Sequence, residues 1–431
     1  MSNSYVLKNV QLASGVETDI EVTNDKITAI GSGLRAAETI DCTGLVALPG
    51  FVDLHTHLRE PGFEQSETVL TGTQAAAMGG FTAVHAMANT SPVADTAGVV
   101  EQVAALGREA GYADVYPIGA VTVGLEGKQM AELGAMANSK AKVRVFSDDG
   151  KCVHDPVLMR RALEYVKAFD GVVAQHAQEP RLTEGAQMNE GAVSAELGLT
   201  GWPAVAEESI IARDVLLAEH VGSRVHICHL STAGSVEIVR WAKARGIQVT
   251  AEVTPHHLLL TDELVRSYDA VYKVNPPLRT QADVLALREA LIDGTIDIIA
   301  TDHAPHPIES KDCEWNAAAF GMLGLETAAS IAQQVLIDSG KSSWGRLAEV
   351  LSINPAAIGR DDEQGQAIEV GSFANLALID PKVTRKVVAD SASKSKNSPY
   401  VGLELPGRVV HTIYRGYFTV RDAKLAESGR N

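Results

Sequence analysis

The chain has 431 residues, 45% of them hydrophobic, and a formal net charge of −17 at pH 7. This length suits a barrel-sized domain with a smaller one, and the negative charge argues against nucleic acid or an anionic membrane surface as a partner. The four cysteines form no Cys-x-x-Cys pair, no apolar stretch reaches the length of a membrane span, and the N-terminus lacks a signal-peptide pattern. We therefore expect a soluble, cytoplasmic protein with free thiols.

Both ends of the chain have the pattern of short strands separated by turn residues. Strands are predicted at 5–7, 18–22 and 26–30, and again at 371–380 and 409–414. We predict that residues 1–50 and 365–431 pair into one small β domain, a β-sandwich. Within it, the segment 386–400 is rich in Ser, Lys and Asn and is predicted to be a mobile loop.

Residues 51–364 alternate between apolar strands and helical segments. Strands are predicted at 50–57, 81–88, 114–122, 142–149, 171–176, 224–229, 247–253 and 296–302. Helices are predicted between them, for example at 155–169, 206–220, 233–245 and 281–291. This alternation predicts an α/β fold, most simply a (β/α)₈ TIM-like barrel. The long polar connections 180–205 and 303–320 are predicted to be active-site loops.

Metal-ligand residues stand at the ends of five of these predicted strands. His55 and His57 are two residues apart, so both project to the same side of strand one. The other strand ends supply Asp148 or Asp149, His176, His229 and Asp302. Each of these residues alone could be a hydrogen-bonded core or turn residue. Because functional groups gather at the carboxyl ends of barrel strands, their joint occurrence predicts one metal site.

The two-residue alternation of strands also predicts which side chains share a face. It groups His229 with Val225 and Ile227, and it selects Asp149 over Asp148, a choice that a β-bulge would reverse. Four histidines and two aspartates exceed one zinc shell and fit two metals bridged by a carboxylate and a hydroxide. Such a pair generates hydroxide at neutral pH and polarises a carbonyl. The neighbouring pair at positions 256 and 257, His256-His257, is a weaker, rival set of ligands.

Six motifs extend over most of the chain. They are GFVDLHTHLREPG at 50–62, MANT at 87–90, FSDDG at 146–150, TPHHL at 254–258, NPPLR at 275–279 and ATDHAPH at 300–306. With them the chain resembles the type I, bacterial dihydroorotases of the amidohydrolase superfamily over essentially its whole length. The resemblance implies reversible conversion of N-carbamoyl-L-aspartate to (S)-dihydroorotate plus water, in de novo pyrimidine (UMP) biosynthesis.

The resemblance also implies a role for each matching residue. One Zn²⁺ is surrounded by His55, His57, Asp149 and Asp302, and a second is held by Asp149, His176 and His229. Members of this branch need not fill both sites equally. Asp302 doubles as the general acid/base for a metal-bound hydroxide nucleophile. The implied substrate-binding set is His57, Arg59, Asn89, Asn275, His306, Phe320 and Gly321. Arg59, Asn89 and His306 bind the substrate carboxylate, while Asn275 and the Phe320-Gly321 backbone meet the ring amide groups.

Two other functions remain open. Hydantoinases and allantoinases usually bridge their metals with a carboxylated lysine on strand four, whereas strand four here offers Asp149, and Lys151 lies two residues past it. A non-catalytic homologue serving as a scaffold for a transcarbamoylase would tend to have lost ligands, and all six candidates are present. Homo-oligomerisation and association with an aspartate transcarbamoylase are further expectations.

Overall fold

A computed structural model describes residues 3–427 of the chain. Its strands are β1 Ser4–Leu12, β2 Glu17–Thr23, β3 Lys26–Gly31, β4 Glu38–Asp41, β5 Val46–Pro49, β6 Phe51–Thr56, β7 Phe81–Ala86, β8 Asp114–Pro117, β9 Val145–Phe146, β10 Val172–Gln175, β11 Met188–Asn189, β12 Gly201–Trp202, β13 Val225–Ile227, β14 Val249–Val253, β15 Ile298–Ile299, β16 Leu376–Lys386, β17 Glu404–Tyr414, β18 Tyr417–Arg421 and β19 Lys424–Leu425.

The α-helices are α1 Val69–Met78, α2 Ala97–Ala110, α3 Leu133–Asn138, α4 Pro156–Val166, α5 Ala192–Leu197, α6 Val205–Val221, α7 Ala233–Ala244, α8 Pro255–Leu259, α9 Gln281–Asp293, α10 Ala328–Ala332, α11 Trp344–Ala348 and α12 Asn354–Gly359. Single 3₁₀ turns lie at Val123–Leu125, Lys167–Phe169, Asp262–Ser267, Ala270–Tyr272 and Ile308–Ser310. Segments of π-helix at Gln333–Asp338 and Glu349–Ile353 continue α10 and α11. The chain therefore has the predicted α/β content.

Both chain ends contribute to one sheet. Within the described residues nine strands are hydrogen-bonded in the order β19-β18-β17-β16-β5-β1-β2-β3, with β4 beside β1. Successive side chains of β16 point to opposite faces of the sheet. Leu376 and Leu378 pack with other residues of the chain-end strands in a separate hydrophobic core. Ala377 and Ile379 pack into the large core shared with the central helices. The pairing of the two ends is as predicted, whereas the division into two sandwich layers stays a prediction.

All eight strands predicted for the central region occur, in the predicted order and parallel. They form two groups, β6-β7-β8 and β15-β14-β13-β10-β9. Parallel bridges join Gly119 to Phe146 and Thr56 to His303, so the pairing continues from each group to the other. Several strands are shorter than predicted, β9 and β15 having two residues each, because the backbone leaves the ladder before the polar residues that follow.

The helices follow from local signals as well as from packing. Asp155 caps α4 by accepting hydrogen bonds from Val157 N and Leu158 N, and Pro156 occupies the first turn, where no amide hydrogen is needed. The helix buries Met159, Ala162, Leu163 and Val166, a spacing that places one apolar stripe against the strands. Among residues 3–427, no helix combines the length and apolar character needed to cross a membrane.

Segment 386–400 differs from its prediction as a mobile loop. Ser393, Ser395 and Asn397 are buried. Ser395 Oγ donates to Ser66 O at 2.6 Å, and Asn397 Nδ2 donates to Ala304 O at 3.0 Å. The polar composition predicted a mobile loop, but here polar side chains bind main-chain groups of neighbouring loops. The connection 180–205 likewise contains structure, α5 and the β11–β12 pair. All four cysteines are free, as expected.

Candidate metal centre and substrate cavity

Asp149 lies at the centre of the histidine cluster and presents a different oxygen to each of two pairs. Its Oδ1 is 3.2 Å from His176 Nδ1 and 3.3 Å from His229 Nε2. Its Oδ2 is 3.4 Å from His55 Nε2 and 3.3 Å from His57 Nε2. Of the three buried groups of ligand atoms in the described residues, His55-His57-Asp149 and Asp149-His176-His229 share only this carboxylate. One carboxylate could thus bridge two ions.

Asp302 lies on the side of the first pair. Its Oδ1 is 3.1 Å from His57 Nε2 and 3.4 Å from His55 Nε2. Burial by itself raises the pKa of this carboxyl, but His55 and His57 outweigh it and hold the pKa below its usual range. Asp302 is therefore an anion beside the cluster.

The outward-facing nitrogens of three histidines are held by hydrogen bonds. His55 Nδ1 lies 2.6 Å from Glu252 Oε1, His57 Nδ1 lies 2.9 Å from Asn89 Oδ1, and His176 Nε2 lies 2.8 Å from Gln178 Oε1. Each acceptor is a carboxylate or amide oxygen, so each ring donates outward through one nitrogen and directs the other inward, where it can bind a cation once it carries no proton.

Inward lone pairs that face carboxylate oxygens repel them unless a cation lies between. His55 Nε2 is buried and has no hydrogen-bond partner among the described residues. Burial lowers the pKa of His55, yet Asp149, Glu252 and Asp302 together raise it well above its usual range. This concentration of buried negative charge and ring nitrogens fits divalent cations such as zinc.

Of the two neighbouring aspartates, Asp149 joins the cluster and Asp148 does not. Asp148 Oδ1 accepts from Val121 N at 2.8 Å and from Thr122 N at 2.9 Å, and its second oxygen contacts the Thr122 hydroxyl. Asp148 thus fixes the turn after β8. Asp149, the residue that the alternation selected, is therefore the one in the cluster, although Val143 and Val145, which were predicted on its face, pack in different hydrophobic clusters.

On strand six the alternation prediction was wrong, although His229 is in the cluster. Val225 and Ile227 pack in the large core. Cys228 instead packs with Val172, Ala174, Ile298 and Ala300. His229 reaches Asp149 because its φ of 32° interrupts the alternation. Left-handed backbone is unfavourable for residues other than glycine and occurs mainly where surrounding structure enforces it.

Arg59 and Asp302 also have left-handed backbone, with φ of 64° and 45°. Three of the predicted site residues therefore share a conformation that the sequence pattern does not reveal. Such outliers concentrate at functional sites, where the direction of a side chain matters more than local backbone preference.

A cavity of about 230 Å³ opens beside the cluster. Its lining includes the complete predicted substrate-binding set: His57, Arg59, Asn89, Asn275, His306, Phe320 and Gly321. Asp149, His176 and Asp302 also line it, whereas His55 and His229 lie behind these residues. Residues distant in sequence thus meet in one concave site.

Three of these residues offer polar groups to the cavity. Arg59 Nε donates to Pro305 O at 3.1 Å, which holds the guanidinium in the cavity lining. Asn89 accepts from His57 through Oδ1, so its NH₂ can donate to a ligand. Asn275 donates to Gln178 Oε1 at 3.2 Å, and its Oδ1 is buried without a partner among residues 3–427. Asn275 can therefore accept a hydrogen bond from a ligand N–H.

His306, Phe320 and Gly321 are already engaged with one another and with neighbours. His306 Nε2 donates to Phe320 O at 2.8 Å, and burial, followed by the positive charge of Arg59, lowers the pKa of His306 to about 3. Gly321 N donates to Lys273 O at 2.9 Å. His306 is thus a neutral ring whose N–H orders the cavity wall. A direct bond to a substrate carboxylate, as the sequence predicts, requires this contact to open.

Sequence reasoning missed three residues that hold the site. Glu252, Gln178 and Asn397 contact His55, His176 and His306 respectively. An acidic residue inside the apolar strand β14 was the available signal for Glu252. The rival ligands do not join the cluster: His257 Nδ1 contacts Thr254 Oγ1, and neither His256 nor His257 belongs to a ligand group within residues 3–427.

Comparisons with known proteins agree with this geometry. The family model "Dihydro-orotase-like" matches residues 44–235. A dihydroorotase of Leifsonia xyli subsp. xyli is 68% identical over 99% of this chain and 98% of the relative. One of Streptomyces coelicolor is 68% identical over 97% of this chain and 99% of the relative.

Solved structures show the same fold. The chain is similar to an L-hydantoinase (dihydropyrimidinase) from Arthrobacter aurescens, with a TM-score of 0.86 and 26% identity, covering 99% of this chain and 98% of that one. It is also similar to a dihydropyrimidinase from Brevibacillus agri, with a TM-score of 0.83 and 25% identity over 98% and 96% of the two chains. With curated relatives this similar over nearly their whole length, the chain belongs to the dihydroorotase family.

Proposed function

We propose that the chain interconverts N-carbamoyl-L-aspartate and (S)-dihydroorotate plus water, as a cyclic amide hydrolase of pyrimidine biosynthesis. The observation that carries this proposal is the arrangement of Asp149 between two histidine pairs, in the lining of a cavity that Arg59 also lines. The substrate has a carboxylate next to a cyclic amide, and the cavity offers a guanidinium for the one and amide groups for the other.

We further propose two Zn²⁺ per chain, one within reach of His55, His57, Asp149 and Asp302 and one within reach of Asp149, His176 and His229. When bound, these ions would supply a nucleophilic hydroxide at neutral pH and polarise the amide carbonyl. The chemistry of the donor set supports this proposal, because four imidazoles and a shared carboxylate suit zinc.

The protein side chains would do the remaining work. Asp302, an anion beside the first histidine pair, would take up the proton of the attacking water and deliver it to the ring nitrogen that leaves. In ring closure the same carboxylate would run these transfers in reverse. Arg59 would bind the substrate carboxylate through two parallel hydrogen bonds, while Asn275 Oδ1 would accept from a ring N–H.

A hydantoinase-like activity is the alternative, because the similar solved structures carry that name. Two observations favour the dihydroorotase reaction. Asp149 stands where a bridging carboxylated lysine would be needed, and Lys151 is exposed, outside the cluster. Hydantoin and allantoin also lack the carboxylate group that Arg59 would bind. The scaffold alternative is less favoured, since all six ligand candidates are present and converge.

One experiment separates these functions. The purified protein, analysed for bound metal, is assayed with dihydroorotate, carbamoyl aspartate, hydantoin and allantoin. We expect turnover of the first two, loss of activity with a chelator and recovery with Zn²⁺. Turnover of hydantoin or allantoin alone in the metal-loaded protein would reject the proposal, and a metal-loaded protein inactive on every substrate would favour the scaffold.

The arrangement of the whole chain is proposed on the same basis. Residues 51–364 would form the (β/α)₈ barrel, a proposal that the closed series of parallel pairings supports. Residues 1–50 and 365–431 would form the β-sandwich domain. We also propose a cytoplasmic homo-oligomer, with association with an aspartate transcarbamoylase to be tested by co-elution of the purified proteins.

A further inference from the structure

Glu252 is a buried carboxylate that the proposed reaction does not use. It lies near the end of β14, and its side chain has no solvent exposure. Residues of two other strands surround it. His55 comes from β6, while His226 and His229 belong to the adjacent strand β13 and the turn after it. A buried carboxylate is costly unless several donors satisfy it.

Three donors converge on this carboxylate. Oε1 accepts from His55 Nδ1 at 2.6 Å and from His229 N at 3.1 Å. Oε2 is 3.0 Å from His226 Nε2, and the other nitrogen of that ring is 2.8 Å from Thr250 Oγ1. Oε1 therefore contacts both halves of the metal centre, the half at Asp149 Oδ2 and the half at Asp149 Oδ1. His55 faces Asp149 Oδ2, and His229 faces Asp149 Oδ1.

The contact with His229 occurs where the backbone is least favourable. His229 has a φ of 32°, and its side chain reaches Asp149 only because of that conformation. A hydrogen bond from its amide to a fixed carboxylate holds the residue in this state. For His55, the carboxylate selects the tautomer whose Nε2 lone pair points inward.

We propose that Glu252 is a positioning residue shared by both halves of the metal centre, so that the affinities for the two ions depend on one side chain. This inference rests on the proposed two-ion function. Through Oε1, Glu252 orients the ring of His55 for one ion and the main chain of His229 for the other. His226 fixes the second oxygen and prevents the carboxylate from rotating.

Zinc binding to the variant Glu252→Gln tests the proposal. The full-length protein is freed of metal and titrated with Zn²⁺ alone against a chromogenic chelator, which gives both stepwise affinities. We expect both affinities to fall about 10- to 100-fold. The matched control is Glu207→Gln, which removes another buried carboxylate whose donors are Ser231 and Ser235. The control should keep both affinities within about twofold of the wild type.

Thermal unfolding of the zinc-free proteins separates positioning from general damage. The two variants are expected to lose similar stability, because each removes one buried carboxylate, while only Glu252→Gln weakens zinc. If Glu252→Gln does not fold, Glu252→Asp serves, because it keeps the charge but withdraws it from His55, and both affinities should again fall.

The possible results are distinct. The shared role of Glu252 would be overturned if Glu252→Gln weakened the binding of only one ion or of neither. It would also be overturned if Glu207→Gln weakened the binding of both ions as much as Glu252→Gln does. A wild-type protein that binds fewer than two ions would overturn the two-ion proposal itself and the inference with it. A wild-type protein that binds two ions yet turns over no dihydroorotate would instead reject the proposed reaction and leave the inference standing.

Discussion

Asp149 and Asp302 are carboxylates in one buried cluster, yet their surroundings differ. Both residues line the cavity, but Asp149 is flanked by histidines at both oxygens, whereas Asp302 meets histidines through Oδ1. A carboxylate whose two oxygens are both engaged is suited to bridging. One that meets the histidines through a single oxygen is suited to moving a proton. This contrast, more than the identity of either residue, separates their roles.

Replacement of Asp302 by Asn tests its role in proton transfer. We expect kcat to fall about 10²- to 10⁴-fold, because the amide cannot accept and return a proton. Bound metal is measured in the same sample, so that a lost ion is not mistaken for a lost base. Asp148→Asn is the control: it should lower stability, since Asp148 holds two backbone amides, while kcat stays within a few-fold. Full activity of Asp302→Asn would show that Asp302 does not transfer the proton.

Replacement of Arg59 by Met tests carboxylate recognition. Hydrogen bonds to charged groups contribute about 1.5–3 kcal/mol, so KM for dihydroorotate should rise roughly 10- to 100-fold. The control is Arg160→Met, because Arg160 is exposed and pairs with Glu164. We expect this variant to keep the KM of the wild type. Steady-state kinetics of both variants give the comparison. A normal KM for Arg59→Met would show that the carboxylate binds elsewhere.

The buried, neutral state of His306 predicts a pH effect on stability. Its pKa is lowered to about 3 in the folded chain by burial, then by Arg59 and Lys311, against about 6.5 when unfolded. The unfolded state therefore binds the proton first, and stability present above pH 6.5 is lost as the pH falls towards 3.

From pH 7 to pH 5, the wild type should lose about 2 kcal/mol more unfolding free energy than His306→Gln, measured by urea denaturation. Bound cations would repel the proton further and act in the same direction. Equal losses in the two proteins would show that His306 titrates normally.

At the scale of elements, the sequence predicted the strands, their order and the strand ends whose histidines and aspartates meet in the cluster. Periodicity and turn residues suffice for this, because buried parallel strands are short apolar runs. It failed where one residue leaves the regular backbone: the alternation rule grouped His229 with Val225 and Ile227, and a φ of 32° puts it elsewhere. Such a conformation depends on tertiary contacts such as that of Glu252, which no local pattern encodes.

Segment 386–400 also shows the limit of composition. Asn397, within this polar stretch, accepts from His306 N at 3.1 Å and donates to Gly321 O at 3.2 Å. It thereby joins two parts of the cavity wall. Polar residues indicate a loop, but whether a loop is free or tied depends on partners far away in the sequence.

Asn397→Ala should therefore affect the substrate more than the fold. Loss of its side-chain hydrogen bonds, each contributing about 1 kcal/mol, would let the His306 and Gly321 loops separate, and we expect KM to rise about tenfold. The control is Asn138→Ala, because Asn138 is exposed and its side chain donates to Gly134 O. We expect its kinetics to be unchanged. An unchanged KM for Asn397→Ala would indicate that the segment is only structural.

For the whole molecule, the candidate ligands come from the ends of five strands spread around the central parallel pairings. His55 and His57 belong to β6 or follow it directly, and Asp149, His176, His229 and Asp302 follow β9, β10, β13 and β15. Bound ions would therefore join parts of the chain that are far apart in sequence. Without them, carboxylates and imidazoles remain buried together, which is unfavourable.

Removal of the metal should accordingly lower the thermal stability of the entire chain. A ligand present at 100 times its dissociation constant stabilises the folded state by about 2.7 kcal/mol. For a chain of 431 residues, we therefore expect Tm to fall by roughly 3 °C for each ion that chelation removes. Calorimetry of the holoprotein, the chelated protein and the chelated protein returned to Zn²⁺ measures this. Mg²⁺ is the control and should not restore Tm, because it prefers an octahedron of oxygen ligands over imidazoles. If the chelated protein has lost its metal and Tm is unchanged, the ions contribute nothing to holding the strand ends together.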